Sequence, residues 1–278
     1  MQKQKLSLAY VAMRFGICCA IWLLLGIELA SSQTQKTASP TPAPTPTPTP
    51  AFPEFRPALI GSGPNSLINI IDAAELIKNG QKEAAVMFSC LVSPTGDIVR
   101  SGAYRGTINS ELLEQELLKG MATAKLIPAI HNHQPVIAVF FGTVKFALVD
   151  GKPRLRIFAN QQLQELDKET DFIDPQPYVG QDSNFTGIHY PETGSTVAVT
   201  GVVELALSVD ARGNLKKIEV VSEEPPLLGF GKAALSDFFG AKFIPAFRNG
   251  QPVESNVKIP VYYKKPVQLI PDNTKPPE

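Results

Sequence analysis

The chain reads as an α+β protein of two tandem small domains. Each is built strand–strand–helix–strand, with one helix packed on an antiparallel sheet, and both follow an amino-terminal apolar segment and a proline-rich linker. Three observations lead there. Residues 125–136 (KLIPAIHNHQPV) recur at 242–253 (KFIPAFRNGQPV), eight identities in twelve positions at a spacing of 117, and the flanks keep that spacing without a gap. Period-two apolar alternation marks strands: Val203, Leu205, Leu207 and Val209 in the second copy, Val86, Phe88, Cys90 and Val92 in the first. A three-to-four spacing of Leu113, Leu117, Met121 and Ala124, answered by Phe230, Ala234, Phe238 and Ala241, marks one helix in each. A solenoid unit repeats every 20–50 residues or so, so a unit of this length should close its own core.

Taken in order, residues 1–32 are a signal peptide or a membrane anchor. Lys3, Lys5 and Arg14 precede the apolar run 15–27, which holds Phe15, Trp22, Leu25 and Ile27. As a helix that run rises about 20 Å, short of the roughly 30 Å hydrocarbon core. Ala30 and Ser32 offer small side chains before a cut near Gln33, which suits export followed by cleavage. Residues 6–13 are also mostly apolar and could lengthen the span into an inner-membrane anchor, so both readings stand. Residues 33–59 form a Pro/Thr-rich linker. Proline takes every second position from Pro40 to Pro50, which favours polyproline II at about 3.1 Å per residue and a spacer of roughly 34 Å.

The first copy spans residues 60–160, a linker 161–188, the second copy 189–265 and a polar tail 266–278. In each copy a glycine turns the first hairpin, Gly96 or Gly213. Ser110 is the expected cap of the first helix, with Glu111 and Glu114 at its positive end. Leu215 to Val221 is expected as a strand with Ile218 and Val220 inward. Proline in Ile-Pro-Ala ends both helices, and Asn249-Gly250 makes a tight turn before the last strand. His133 stands where the second copy has Gly250, so the equivalent turn in the first copy should be looser. Asp150-Gly151 signals an extra hairpin feeding a strand at about 155–158.

Composition narrows function mostly by exclusion. Lys plus Arg and Asp plus Glu balance at 26 each, so there is no basic footprint for nucleic acid. Cys18 and Cys19 fall in the apolar run, which leaves Cys90 as a small buried hydrophobe rather than half of a disulfide. His131 and His133 sit two apart with no acidic or thiol third ligand beside them and read as polar turn residues. No nucleophile elbow, phosphate loop or zinc helix motif is present. The expectation is a non-enzymatic protein with no catalytic residue, metal, cofactor or small-molecule substrate.

The second copy resembles the carboxy-terminal domain of TonB-type energy transducers. The likeness runs over residues 190–264 and rests on an ordered series of short motifs: Tyr190-Pro191, Gly201-Val202-Val203, Val209-Asp210 with Gly213, and Lys242-Phe243-Ile244-Pro245-Ala246. Asn249-Gly250-Gln251-Pro252-Val253 and Ile259-Pro260-Val261 complete it. The first copy is then a divergent TonB-like domain by way of the repeat. The resemblance implies a periplasmic or cell-envelope protein of transmembrane transport that grips a TonB-dependent outer-membrane transporter, or another extended peptide, by β-strand addition. On this reading Val257, Ile259, Val261 and Tyr263 form the docking edge, with the turn Asn249-Gly250 beside it. If the amino terminus stays as an anchor, an ExbB/ExbD-like motor is a further partner, and a homodimer by strand exchange is compatible. Residues 15–27 lack the Ser and His face that would couple such a motor to protons. The alternative is therefore a secreted or periplasmic peptide-binding or scaffold module without energy coupling.

Overall fold

In the computed structural model, residues 52–191 and 199–264 are described. The apolar run with Phe15, Trp22, Leu25 and Ile27, the polyproline stretch and the tail lie outside them. The chain divides into two units, 1–47 and 48–278, and every described residue belongs to the second. Among the described residues no helix is long and apolar enough to cross a membrane.

The chain runs β1 (Phe55–Arg56), α1 (Leu67–Ile70), α2 (Ala73–Lys78), β2 (Ala84–Val92), β3 (Ile98–Gly106), α3 (Glu111–Met121), β4 (Ala129–His131), β5 (Gln134–Val149) and β6 (Lys152–Phe158). It continues through α4 (Leu163–Asp167), β7 (Gln176–Val179), β8 (Gly201–Val209), β9 (Leu215–Glu224) and α5 (Phe230–Phe238). The last elements are β10 (Phe243–Ile244), β11 (Ala246–Arg248), β12 (Gln251–Val253) and β13 (Ser255–Tyr263). All strand pairs are antiparallel. An eight-stranded sheet follows the path β1-β4-β5-β2-β3, with β6 and β7 on β5 and β10 on β7. A three-stranded sheet has the order β13-β8-β9, and β11 pairs with β12 alone.

The two sheets share a register at the repeat spacing. Ala84 pairs with Phe146 and Val92 with Ala138; 117 residues on, Gly201 pairs with Tyr263 and Val209 with Ser255. The β2–β3 ladder slips between Met87 and Phe88 and between Leu91 and Val92, and the β8–β9 ladder slips between Glu204 and Leu205 and between Ser208 and Val209. After each helix the chain returns to the hairpin glycine: Leu126 N donates to Gly96 O and Phe243 N to Gly213 O, both at 2.9 Å. The helix faces are buried as their spacing predicts, Leu113 and Leu117 in α3, Phe230, Ala234 and Phe238 in α5. Cys90 is buried in the first core, where burial pushes its thiol up to about 12.

Several local expectations are corrected. Ser110 makes no capping bond to α3; Gln81 Oε1 instead accepts from Leu113 N at 2.8 Å, an orphan helix donor satisfied from 32 residues away. The Asn132-His133 turn is as tight as its counterpart. Its residues take φ of 47° and 63°, against 49° and 72° at Asn249-Gly250, because histidine tolerates the left-handed region and the His133 ring is held by Phe52 O at 2.6 Å. Val220 is 37% exposed rather than inward: it lies on an end strand that α5 covers only in part. The linker expected over 33–59 already contains β1, which pairs with β4.

Residues 161–188, also expected as linker, are structural. β7 pairs with β5 through Ile137↔Val179 and with β10 through Phe243↔Pro177, so it joins the two halves through backbone bonds. The cores interlock accordingly. Ile244 and Phe247 of the second half pack in the first core, while Val139 and Phe141 of β5 pack with Phe172 and Phe185 in the second.

Candidate functional site

β13 is an end strand of the three-stranded sheet, pairing with β8 from Ser255↔Val209 to Tyr263↔Gly201. Its sequence alternates, and Val257, Ile259, Val261 and Tyr263 point into the core at 5% exposure or less. Side-chain alternation does not reveal which backbone groups meet β8. Gln162 does: its Nε2 donates to Lys258 O at 3.0 Å and its Oε1 accepts from Lys258 N at 3.2 Å. In an antiparallel ladder the N–H and C=O of one residue point to the same side and alternate from residue to residue. Asn256, Lys258 and Tyr262 therefore turn their backbone groups away from β8. Val257, Ile259, Val261 and Tyr263 turn theirs toward it.

This corrects the expected docking residues. The four apolar positions hold the strand to its own sheet with both side chain and backbone, and none offers a group to a partner. Pro260, on the outward parity, has no N–H to offer, which is where proline is tolerated in an edge strand. Asn249 and Gly250 form the tip of the β11–β12 turn, where Asn249 N bonds Asp171 Oδ2 at 2.5 Å. They do not line the concavity beside β13, although Arg248 next to them does.

That concavity is a groove of about 900 Å³. Its lining joins β13 and the residues leading into it with the segment 161–165 that enters α4, and includes Met87, Arg105 and Phe172. Its cations are paired, and of its carboxylates Glu254 alone has no partner among the described residues. Arg105 Nη1 lies 2.9 Å and Lys258 Nζ 3.4 Å from the Glu204 carboxylate. Arg248 forks onto Glu165 at 2.6 and 3.2 Å while its guanidinium lies 4.8 Å from the Phe172 ring centroid. Arg248 first, and then the Thr170 hydroxyl, hold the Glu165 carboxyl below the usual carboxylate range. Two buried polar atoms of groove residues, Gln161 Oε1 and Ser255 Oγ, have no hydrogen-bond partner among the described residues.

Beneath the groove sits Asp174, fully buried, accepting from Gln161 N at 2.8 Å and from Gln162 Nε2 at 3.0 and 3.1 Å. Burial pushes its carboxyl up to about 7. Sequence reasoning missed Asp174, Gln161 and Gln162 together, because nothing in a polar stretch between two domains signals burial.

In the first sheet the equivalent edge is mostly covered. There β5 corresponds to β13, but β6 pairs with it from Thr143 to Val149 and β7 at Ile137 and Ala138. The histidines expected as turn residues have separate duties. His131 stacks on Tyr178 at 4.3 Å with Nε2 3.0 Å from its hydroxyl, and His133 holds Phe52.

Residues 186–264, from the approach to β8 through the end of β13, match the family model of the Gram-negative bacterial TonB protein C-terminal. A comparison with curated proteins finds none that matches the chain.

Proposed function

Taking residues 186–264 as a TonB C-terminal domain, we propose that this chain is a non-enzymatic protein of the bacterial cell envelope that binds an extended segment of an outer-membrane transporter along β13. We further propose that residues 60–160 are a divergent copy of the same domain, supported by the ladder registers and slips that recur at a spacing of 117. The observation that carries the reading is an end strand bordered by a groove of about 900 Å³, with Asn256 and Lys258, whose backbone groups turn away from β8, among its lining. The segment 161–188 supplies part of the lining across from β13, and β6 of the first copy together with β7 of that segment covers most of the equivalent edge of β5, which leaves the second copy as the docking module.

The test is a proline pair measured with synthetic peptides carrying the TonB box of an outer-membrane transporter. Lys258→Pro removes an outward donor and should weaken binding at least tenfold while the protein stays folded; Lys258→Ala, which keeps the N–H, should bind as wild type. Val261→Pro removes an inward donor, leaves its β8 acceptor unsatisfied and should cost about 1–3 kcal/mol of stability. Undiminished peptide binding by Lys258→Pro would refute docking at β13. Amino-terminal sequencing of the exported protein decides between the anchored transducer and the secreted module, since a start near Gln33 removes the segment an ExbB/ExbD-like motor would need.

A further inference from the structure

A side-chain amide can imitate a strand. It carries a donor and an acceptor side by side, the pair that one outward-facing residue of an edge strand presents. Among the described residues two glutamines do this. Gln176, 1% exposed, donates to Ala58 O at 3.1 Å and accepts from Ala58 N at 2.7 Å, so a buried backbone pair with no strand neighbour is satisfied. Gln162 repeats the geometry on Lys258, at 3.0 and 3.2 Å, but at the surface and over the groove. A partner strand pairing at Lys258 needs the two groups that Gln162 holds.

We infer that Gln162 is an internal strand mimic that closes the docking edge of β13, and that an extended segment of another protein without acidic side chains binds there by displacing it. The inference rests on the docking reading above and adds a competitor to it. The chemistry of the occupant follows from the groove. Arg105, Lys258 and Arg248 are each satisfied by Glu204 or Glu165, so an acidic segment would meet no unpaired cation and would face the unpaired Glu254 carboxylate. Met87, Leu163, Phe172 and Pro260 offer apolar wall, and Gln161 Oε1 and Ser255 Oγ offer buried hydrogen-bonding positions. A segment alternating apolar side chains with hydroxyl or amide ones suits all three features. The displaced Gln162 keeps a partner in Asp174, so opening the edge leaves its Nε2 satisfied.

The experiment titrates a capped pentapeptide of alternating threonine and valine into the wild type, Gln162→Ala and Gln162→Met, reading affinity together with exchange of the Lys258 amide by NMR. Methionine keeps the length of the side chain without its hydrogen bonds, so it carries the test if alanine perturbs the fold. Both variants are expected to bind at least about tenfold more tightly than wild type, to exchange the Lys258 amide faster when free, and to regain protection when saturated. Affinities within twofold of wild type, with Lys258 protected by peptide in all three, would overturn the closing role and leave the docking edge standing. Peptide that protects no amide of β13 in any of the three would overturn both. Dimerisation of the variants without peptide, seen by sedimentation, would make a second copy the occupant and overturn the assignment of a separate partner.

Discussion

Alanine at Gly213 is expected to cost about 4 kcal/mol of folding stability, and alanine at Gly96 a similar amount. Both glycines hold positive φ, 80° and 85°, which by itself penalises a side chain by about 1–2 kcal/mol. The greater cost is contact. A Cβ at Gly213 would lie 1.8 Å from Phe243 O and 2.9 Å from Phe243 C, and at Gly96 it would lie 2.1 Å from Leu126 O. These are backbone atoms of the segment that returns from the helix, and that segment is bonded to the same turn through Phe243 N→Gly213 O and Leu126 N→Gly96 O. Relieving the clash breaks that bond, worth about 1 kcal/mol, and shifts Phe243 or Leu126 out of a packed core at a further cost of about 1–2 kcal/mol. Gly151 is the control: its φ is 72° but its Cβ position is open, so alanine there should cost only the conformational term. Urea unfolding of the three variants reads the difference. Values at Gly96 and Gly213 within about 1 kcal/mol of Gly151 would show that the returning segment can move aside, and would remove the packing argument at both positions.

These glycines also show what could be read before the structure. Their place in a hairpin followed from a turn signal between two alternating runs, and their equivalence followed from the 117-residue spacing. That a second segment lies against each was not visible, because the contact joins residues about 30 apart. The same limit applies at larger scale. Alternation marked Val257, Ile259 and Val261 as one face of a strand, but which side of that strand lacks a neighbour depends on where β8 and the segment 161–165 come to lie. Four glutamines escaped notice for a related reason. Gln81, Gln161, Gln162 and Gln176 sit in stretches that read as polar connection, yet each satisfies backbone groups 19 to 118 residues away. A long-range amide-to-backbone bond leaves no local period, no charge and no spacing. The part of the site that was legible is thus the strand; the part that was not is everything that faces it.

Asp174 is expected to make the wild-type protein lose stability as pH rises from about 4 to 7, and Asp174→Asn should abolish that contribution. Burial is the leading cause of its raised pKa, since the site has no cation near the carboxyl and Glu165 adds like charge; the bonds from Gln162 and Gln161 oppose the shift without cancelling it. The folded state therefore keeps the proton to about pH 7, while the unfolded chain releases it near 3.8. Between those values the folded state binds more protons, so unfolding becomes easier as pH rises; below 3.8 the group contributes nothing, and above 7 the loss is constant. A shift of this size corresponds to about 4 kcal/mol. Other carboxyls act in the opposite sense. Glu165 is held low by Arg248 and Thr170, and Asp97 by Lys125 and Thr95, so their contributions to stability fade on acidification and the raw wild-type profile is a composite. The measurement is therefore the difference in unfolding free energy between Asp174→Asn and wild type. It should grow with pH by at most about 1.4 kcal/mol per unit between 4 and 7 and then level off. A difference that stays flat over that range would mean that the hydrogen bonds to Gln161 and Gln162 outweigh burial. The carboxylate would then be charged over that range, and Gln161 and Gln162 would rest on a fixed anion rather than on a neutral acid at low pH.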